Sequence, residues 1–104
     1  MTNLIDELCE LTVKHQLNWT TIDNLIIHGQ PYSERFQHIL TNKSFFTSYK
    51  DQTIIVLYGE VRDFINQRTV ANFFLQTYTN GHVEKLEFPE VDIVKLHTLI
   101  TLSL

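Results

Sequence analysis

Tyr58, Glu60 and Asp63 are the residues of this chain whose types and spacing come nearest to a reaction centre. A carboxylate and a phenol on one strand can pass a proton, provided the carboxylate lies in an apolar cavity with a matched donor within hydrogen-bond reach. Local sequence offers each of the three an ordinary structural task instead. Asp63 stands in Arg62-Asp63-Phe64-Ile65-Asn66-Gln67, where a turn would use its oxygens to accept from nearby backbone N–H groups. Glu60 beside Arg62 suits a solvated strand face, and Tyr58 suits a core or an interface. No catalytic residue is assigned.

Metal and nucleophile chemistry fare no better. The five histidines, His15, His28, His38, His82 and His97, never occur as a ligand-like pair at i and i+4, and Cys9 is the single cysteine. A structural zinc needs several N or S ligands converging on one point, so neither a metal nor another cofactor is expected. His15 and His38 lie on or beside apolar helical stripes and read as hydrogen-bonded core residues. Cys9 falls inside a helical pattern and reads as a buried thiol in a reducing compartment. No serine occupies a nucleophile elbow, and Gly29, Gly59 and Gly81 are too far apart to cradle a phosphate.

The bulk properties narrow the partners. Twelve acidic against eight basic side chains give a net charge of −4, with the cations scattered singly, which opposes nucleic-acid binding. With 43% apolar and 19% charged residues, the 104-residue chain has the composition and size of one globular domain, residues 1–104. No apolar run is long enough to span a bilayer. Asp6, Glu7 and Glu10 occupy the place where a leader would be basic and then apolar, so the expected location is the cytoplasm, with no membrane partner.

The elements that must position any site follow from periodicity. Leu4, Ile5, Leu8, Leu11, Thr12 and His15 recur at helical spacing, with Asn3 placed as a cap, so the spacing predicts a helix over 3–16. Thr20 and Asp23 resemble a capping box leading into Ile22, Leu25, Ile26 and Ile27, and 25–28 fits helix or strand equally. Pro31, Tyr32, Phe36, Ile39 and Leu40 predict a second helix up to Asn42.

From Phe45 the period changes to two. Segments 53–63 and 68–79 alternate with apolar residues on both faces, and Asn80-Gly81 marks a hairpin into 82–88. Val83 and Leu86 there have opposite parity, which a β-bulge would repair. Val94, Leu96, Ile100, Leu102 and Leu104 alternate in a tail rich in β-branched residues, which predicts a last strand over 91–104.

Gly29 with the segment 32–40, then Thr53-Ile54-Ile55-Val56-Leu57-Tyr58-Gly59-Glu60-Val61, Phe73-Phe74-Leu75-Gln76-Thr77-Tyr78 and Asn80-Gly81-His82-Val83-Glu84-Lys85-Leu86 carry a family likeness. They resemble the glycine-led third helix, the following strand and the last hairpin of the nuclear transport factor 2-like (cystatin-like) superfamily. The resemblance implies an α+β fold in which N-terminal helices pack on a curved antiparallel meander. It also implies one of two uses, a pocket of the ketosteroid isomerase-like kind or a pocketless interaction domain.

The leading expectation is a non-catalytic domain that dimerises or binds another protein through its outer sheet face. Tyr58, Val70, Phe74 and Tyr78 would be its anchors, because the helices cover only one face of such a sheet. The alternative is a small apolar ligand or an isomerase-like reaction in a pocket between helices and sheet, lined by Phe36, Ile39, Leu57, Phe73 and Leu75.

Overall fold

The side chain of Asn3 accepts a hydrogen bond from the Asp6 N–H at 2.8 Å, and so opens helix α1, Leu4–Val13. Asp6 and Glu7 place negative charge in its first turn, at the positive end of the helix dipole. Ile5, Leu8, Cys9 and Thr12 form its buried stripe. The helix ends three residues earlier than its pattern, because His15 takes a left-handed φ of 57°. In the computed structural model, which describes residues 3–104, α1 is followed by four short strands or bridges, a long meander and a second helix.

Strands β1 (Thr20–Thr21), β4 (Phe45–Tyr49), β5 (Gln52–Asp63), β6 (Arg68–Thr79) and β7 (His82–Leu86) form one antiparallel sheet in the order β1-β4-β5-β6-β7. The expected strands 53–63 and 68–79 are β5 and β6 to within a residue. Their joining turns use the backbone that hairpins demand: Lys50 and Asp51 have φ of 46° and 62°, and Asn80 and Gly81 have 51° and 84°.

One open reading is resolved and three sequence expectations are corrected. The segment 25–28, open to helix or strand by sequence, holds strand β2 (Ile26–Ile27), which pairs with β3 (Gln30–Pro31) around His28 and Gly29, both at positive φ. The helix expected over 31–42 is absent, since this stretch holds only single 3₁₀ turns at Tyr32–Arg35 and Thr41–Lys43. Its backbone is used elsewhere. Ile39 bridges Gly59, Leu40 N–H donates to Tyr58 O at 2.9 Å, and Glu60 N–H donates to His38 O at 3.0 Å. An α-helix would have kept those groups for itself. No bulge interrupts β7, because Val83 pairs with Tyr78 and Leu86 with Leu75 in unbroken register. Their opposite parity serves two different cores, one on each side of the sheet.

The third correction is the tail, which is helix α2 (Glu90–Ser103). Helices therefore flank the meander at both ends of the chain instead of preceding it. Ile93, Leu96 and Ile100 form its buried stripe at spacings of three and four, whereas Leu102 and Leu104 of the alternating set are exposed. Glu90 and Asp92 complement its N-terminus.

The sheet is covered on both faces by its own chain. On one face α1 and α2 bury Phe45, Ile54, Val56 and Leu75 with Ile5, Leu8, Leu96 and Ile100. Within this layer the Trp19 indole N–H donates to Thr12 Oγ1 at 3.0 Å, and that hydroxyl donates to Leu8 O at 2.7 Å. On the opposite face the irregular segment 22–39 lays Ile22, Leu25, Ile27 and Tyr32 over Ile55 and Leu57. Each fully buried aliphatic side chain contributes about 1.5–3 kcal/mol. The premise that one face lacks intramolecular cover is overturned by this second layer.

Candidate functional site

Strand parity decides which candidate residues can act together, since side chains alternate between faces. Tyr58 and Phe73 oppose each other on the helix-covered face, and Leu57 and Phe74 oppose each other on the other. The interaction set is therefore divided. Val70, Phe74 and Tyr78 share the outer face, while Tyr58 points the opposite way. Phe74 and Tyr78 are half-buried against the 22–39 segment, and only Val70 lies beyond it, paired with exposed Val61. The pocket set is divided as well: Phe36, Ile39 and Leu57 belong to the outer layer, Phe73 and Leu75 to the helix layer. Between helices and sheet, Leu8, Ile54, Val56, Leu75, Leu96 and Ile100 fill the space, each fully buried.

Tyr58, Glu60 and Asp63 do not converge on a reacting atom. The Tyr58 hydroxyl donates to Glu60 Oε1 at 2.8 Å, and that carboxylate acceptor holds the phenol pKa above its ordinary value. The bond keeps the proton on the phenol. Asp63 does what its sequence context requires. One carboxylate oxygen accepts from Ile65 N–H at 3.1 Å and Asn66 N–H at 3.3 Å, and the other from Asn66 Nδ2 at 2.8 Å. The Asn66 side chain and these N–H groups hold the Asp63 carboxyl below the usual range, which makes it a weak base.

His15 and His38 are exposed, so neither is a core histidine. His97 has a defined setting. Its Nε2 lies 2.7 Å from Lys43 O, which can only accept, so Nε2 carries the proton. The ring stacks on Tyr58 at 5.4 Å and meets Phe73 edge-on at 5.2 Å. These three residues, with Lys43, Thr101 and Leu102, line a surface cleft of about 300 Å³. Sequence reasoning missed the cluster because it placed His97 on a strand; the helical spacing of Ile93, Leu96 and Ile100 was the available signal. Burial pushes the Cys9 thiol pKa up, as suits an inert core cysteine. Among the described residues, no group of three His, Cys, Asp or Glu side chains is arranged to hold a metal ion.

The distal part of the β5–β6 ribbon has the opposite character. Pairing with β4 stops at Val56 and pairing with β7 stops at Leu75, while β5 and β6 continue together to Asp63 and Arg68. Beyond Gly59 the ribbon exposes Val61, Phe64 and Ile65, at 41%, 79% and 93%. On its outer face a cleft of about 380 Å³ runs between Phe36, Ile39, Val61, Asn72 and Phe74. Among these distal residues Glu60, Arg62, Asp63, Arg68 and Asn72 are polar, so the exposed apolar groups stand within a charged stretch of sequence. Compared with family models, with curated proteins and with solved structures, the chain matches none.

Proposed function

We propose that the protein is a non-catalytic association domain whose contact surface is the distal β5–β6 ribbon and the adjoining outer sheet face. The observation that carries this reading is the set of exposed Val61, Phe64 and Ile65 beside half-buried Val70, apolar side chains on a projecting ribbon whose turn is braced by Asp63. Apolar groups exposed together on an ordered element are what partner surfaces bury. Val70 and the outer face are kept from the expected anchor set, and the centre of the surface moves toward the turn.

Kinship with the nuclear transport factor 2-like superfamily is supported by the meander β5–β7 and by Asn80-Gly81. The tail helix and the irregular 22–39 segment speak against carrying over that family's cone and its isomerase-like chemistry.

Affinity capture tests the association reading. Wild-type protein is expected to retain protein partners, second copies included, that a Phe64→Asp/Ile65→Asp variant of equal stability loses; equal recovery would overturn it. A second reading, a small apolar ligand, is favoured by the outer cleft between Phe36, Ile39 and Phe74. Saturable enhancement of an apolar fluorescent probe, lost in Ile39→Asp, is its expected signature.

A further inference from the structure

Hydrogen-bond direction alternates along an antiparallel strand, and two independent contacts fix the phase of that alternation here. Tyr58 O accepts from Leu40 N–H and Glu60 N–H donates to His38 O, so Tyr58 and Glu60 turn their backbone groups away from β6. Leu57, Gly59 and Val61 therefore bond to their partners Phe74, Asn72 and Val70. It follows that Thr69, Ala71 and Phe73 turn their N–H and C=O groups outward. Because β7 reaches only to Leu75, and no hydrogen bond from elsewhere among the described residues meets these three, the outer edge of 68–74 is open. Natural sheets protect such an edge with charge, proline or a bulge. On this stretch Arg68 is the only charged residue, and there is no proline.

Resting on the association reading, we propose that this edge pairs with the same edge of a second copy, antiparallel about a two-fold axis at Ala71. Three features favour a copy over an unrelated strand. The open stretch runs from the turn to the end of β7, and its midpoint, Ala71, is itself an outward-bonding residue, so Ala71 meets Ala71 and Thr69 meets Phe73. All six outward N–H groups of the pair then find carbonyls. The register places Arg68 opposite Phe74 of the other copy, so no like charges face each other. The hairpin tip of each copy then reaches the end of β7 in the other. There a cleft of about 370 Å³, lined by Phe73, Leu86, Phe88 and Ile93, stands open for Phe64 and Ile65. Arg62 and Arg68 at the tip meet a cleft whose rim carries Glu87 and Glu90 against a single cation, Lys85, and is net negative. Paired strands alone bury less than the roughly 1,000 Å² of a specific contact, so burial of the tip is required.

Sedimentation equilibrium with charge variants at the two-fold position tests this. Wild type is expected to dimerise with concentration. Ala71→Lys and Ala71→Glu each set like charges face to face and should weaken the dimer at least about tenfold, and their equimolar mixture should restore it. Should these variants misfold, Ala71→Cys gives a second route, because directly hydrogen-bonded pairs lie about 5.5 Å apart at Cα, within disulfide reach. Oxidised glutathione should convert it to a covalent dimer faster than it converts Asp51→Cys, at the far end of the sheet. A wild type that stays monomeric at all concentrations, or a dimer indifferent to the Ala71 charges, would overturn the proposal. A monomer that still captures other proteins through Phe64 and Ile65 would overturn this inference while leaving the association reading intact; a monomer that captures none would remove both.

Discussion

β5 and β6 run side by side from the pair Thr53 and Tyr78 to the pair Asp63 and Arg68, yet their two ends behave as different materials. At the proximal end Ile54, Ile55, Val56, Leu57 and Leu75 are closed off by α1 and α2 on one side and by the 22–39 segment on the other. At the distal end Val61, Phe64 and Ile65 face solvent and β6 has an open edge. Alternation continues through both, but the distal half carries Glu60, Arg62, Asp63 and Arg68 where the proximal half carries Ile54, Ile55 and Val56. Strand periodicity sets where the ribbon runs, and the charge of its distal half together with the reach of the remaining chain sets which part of it is core.

The contrast is broken or sharpened most strongly by paired truncations. Leu75→Ala is expected to cost about 2–5 kcal/mol in urea unfolding, through lost burial and the cavity left behind. Ile65→Ala should stay within about 0.5 kcal/mol of wild type. Similar losses at the two positions would erase the distinction.

Gly59 marks the boundary between the halves, and its substitution is the next largest effect. A Cβ there would stand 3.0 Å from His38 O and 3.2 Å from Ile39 Cδ1, so Gly59→Ala must shift the His38 backbone by a few tenths of an ångström and strain its contact with the β5 edge. A cost of about 1–3 kcal/mol is expected, with faster exchange of the Leu40 and Glu60 amides. Unchanged exchange at both would mean that the 38–40 contact does not bound the core.

The smallest effect is one of pH at the tip. The Asp63 carboxyl is held below its ordinary pKa of about 3.9 by Asn66 and by the Ile65 and Asn66 N–H groups. A depressed folded pKa gives stabilisation that is complete above the ordinary value and lost as pH falls through the lower folded one. Amides of 64–67 should therefore lose protection in acid at lower pH than an ordinary aspartate titrates, and Asp63→Ala should abolish that step. Acid-insensitive tip amides in the wild type would contradict it.

The meander was legible in the sequence nearly to the residue, because Asn80-Gly81 and the dyad repeats of 53–63 and 68–79 are signals written locally in the backbone. So was α1, through Asn3 and its buried stripe. The second helix was not. Val91, Ile93, Val94, Thr98, Ile100 and Thr101 are β-branched, and in α2 packing against α1 and β6 overrides that preference. The apolar positions of 31–42 imitate a helical face, whereas their task is to cover Ile55 and Leu57 while 38–40 pairs with the β5 edge.

For the candidate surface, Val70 and the outer face were visible as parity. Phe64 and Ile65 were passed over because a turn is assumed to expose what it carries. Whether β6 has a neighbour beyond Leu75 depends on the length of β7, which ends at Leu86, ahead of Pro89.

Amide hydrogen exchange along β6, followed residue by residue from dilute to concentrated solution, measures the difference between the two halves most directly. In dilute protein Val70, Asn72 and Phe74 should be protected while Thr69, Ala71 and Phe73 exchange freely, and the latter three should gain protection together as concentration rises. Uniform protection of 69–74 in a dilute monomer would contradict the open edge, and free exchange at every concentration would contradict its pairing with a second copy.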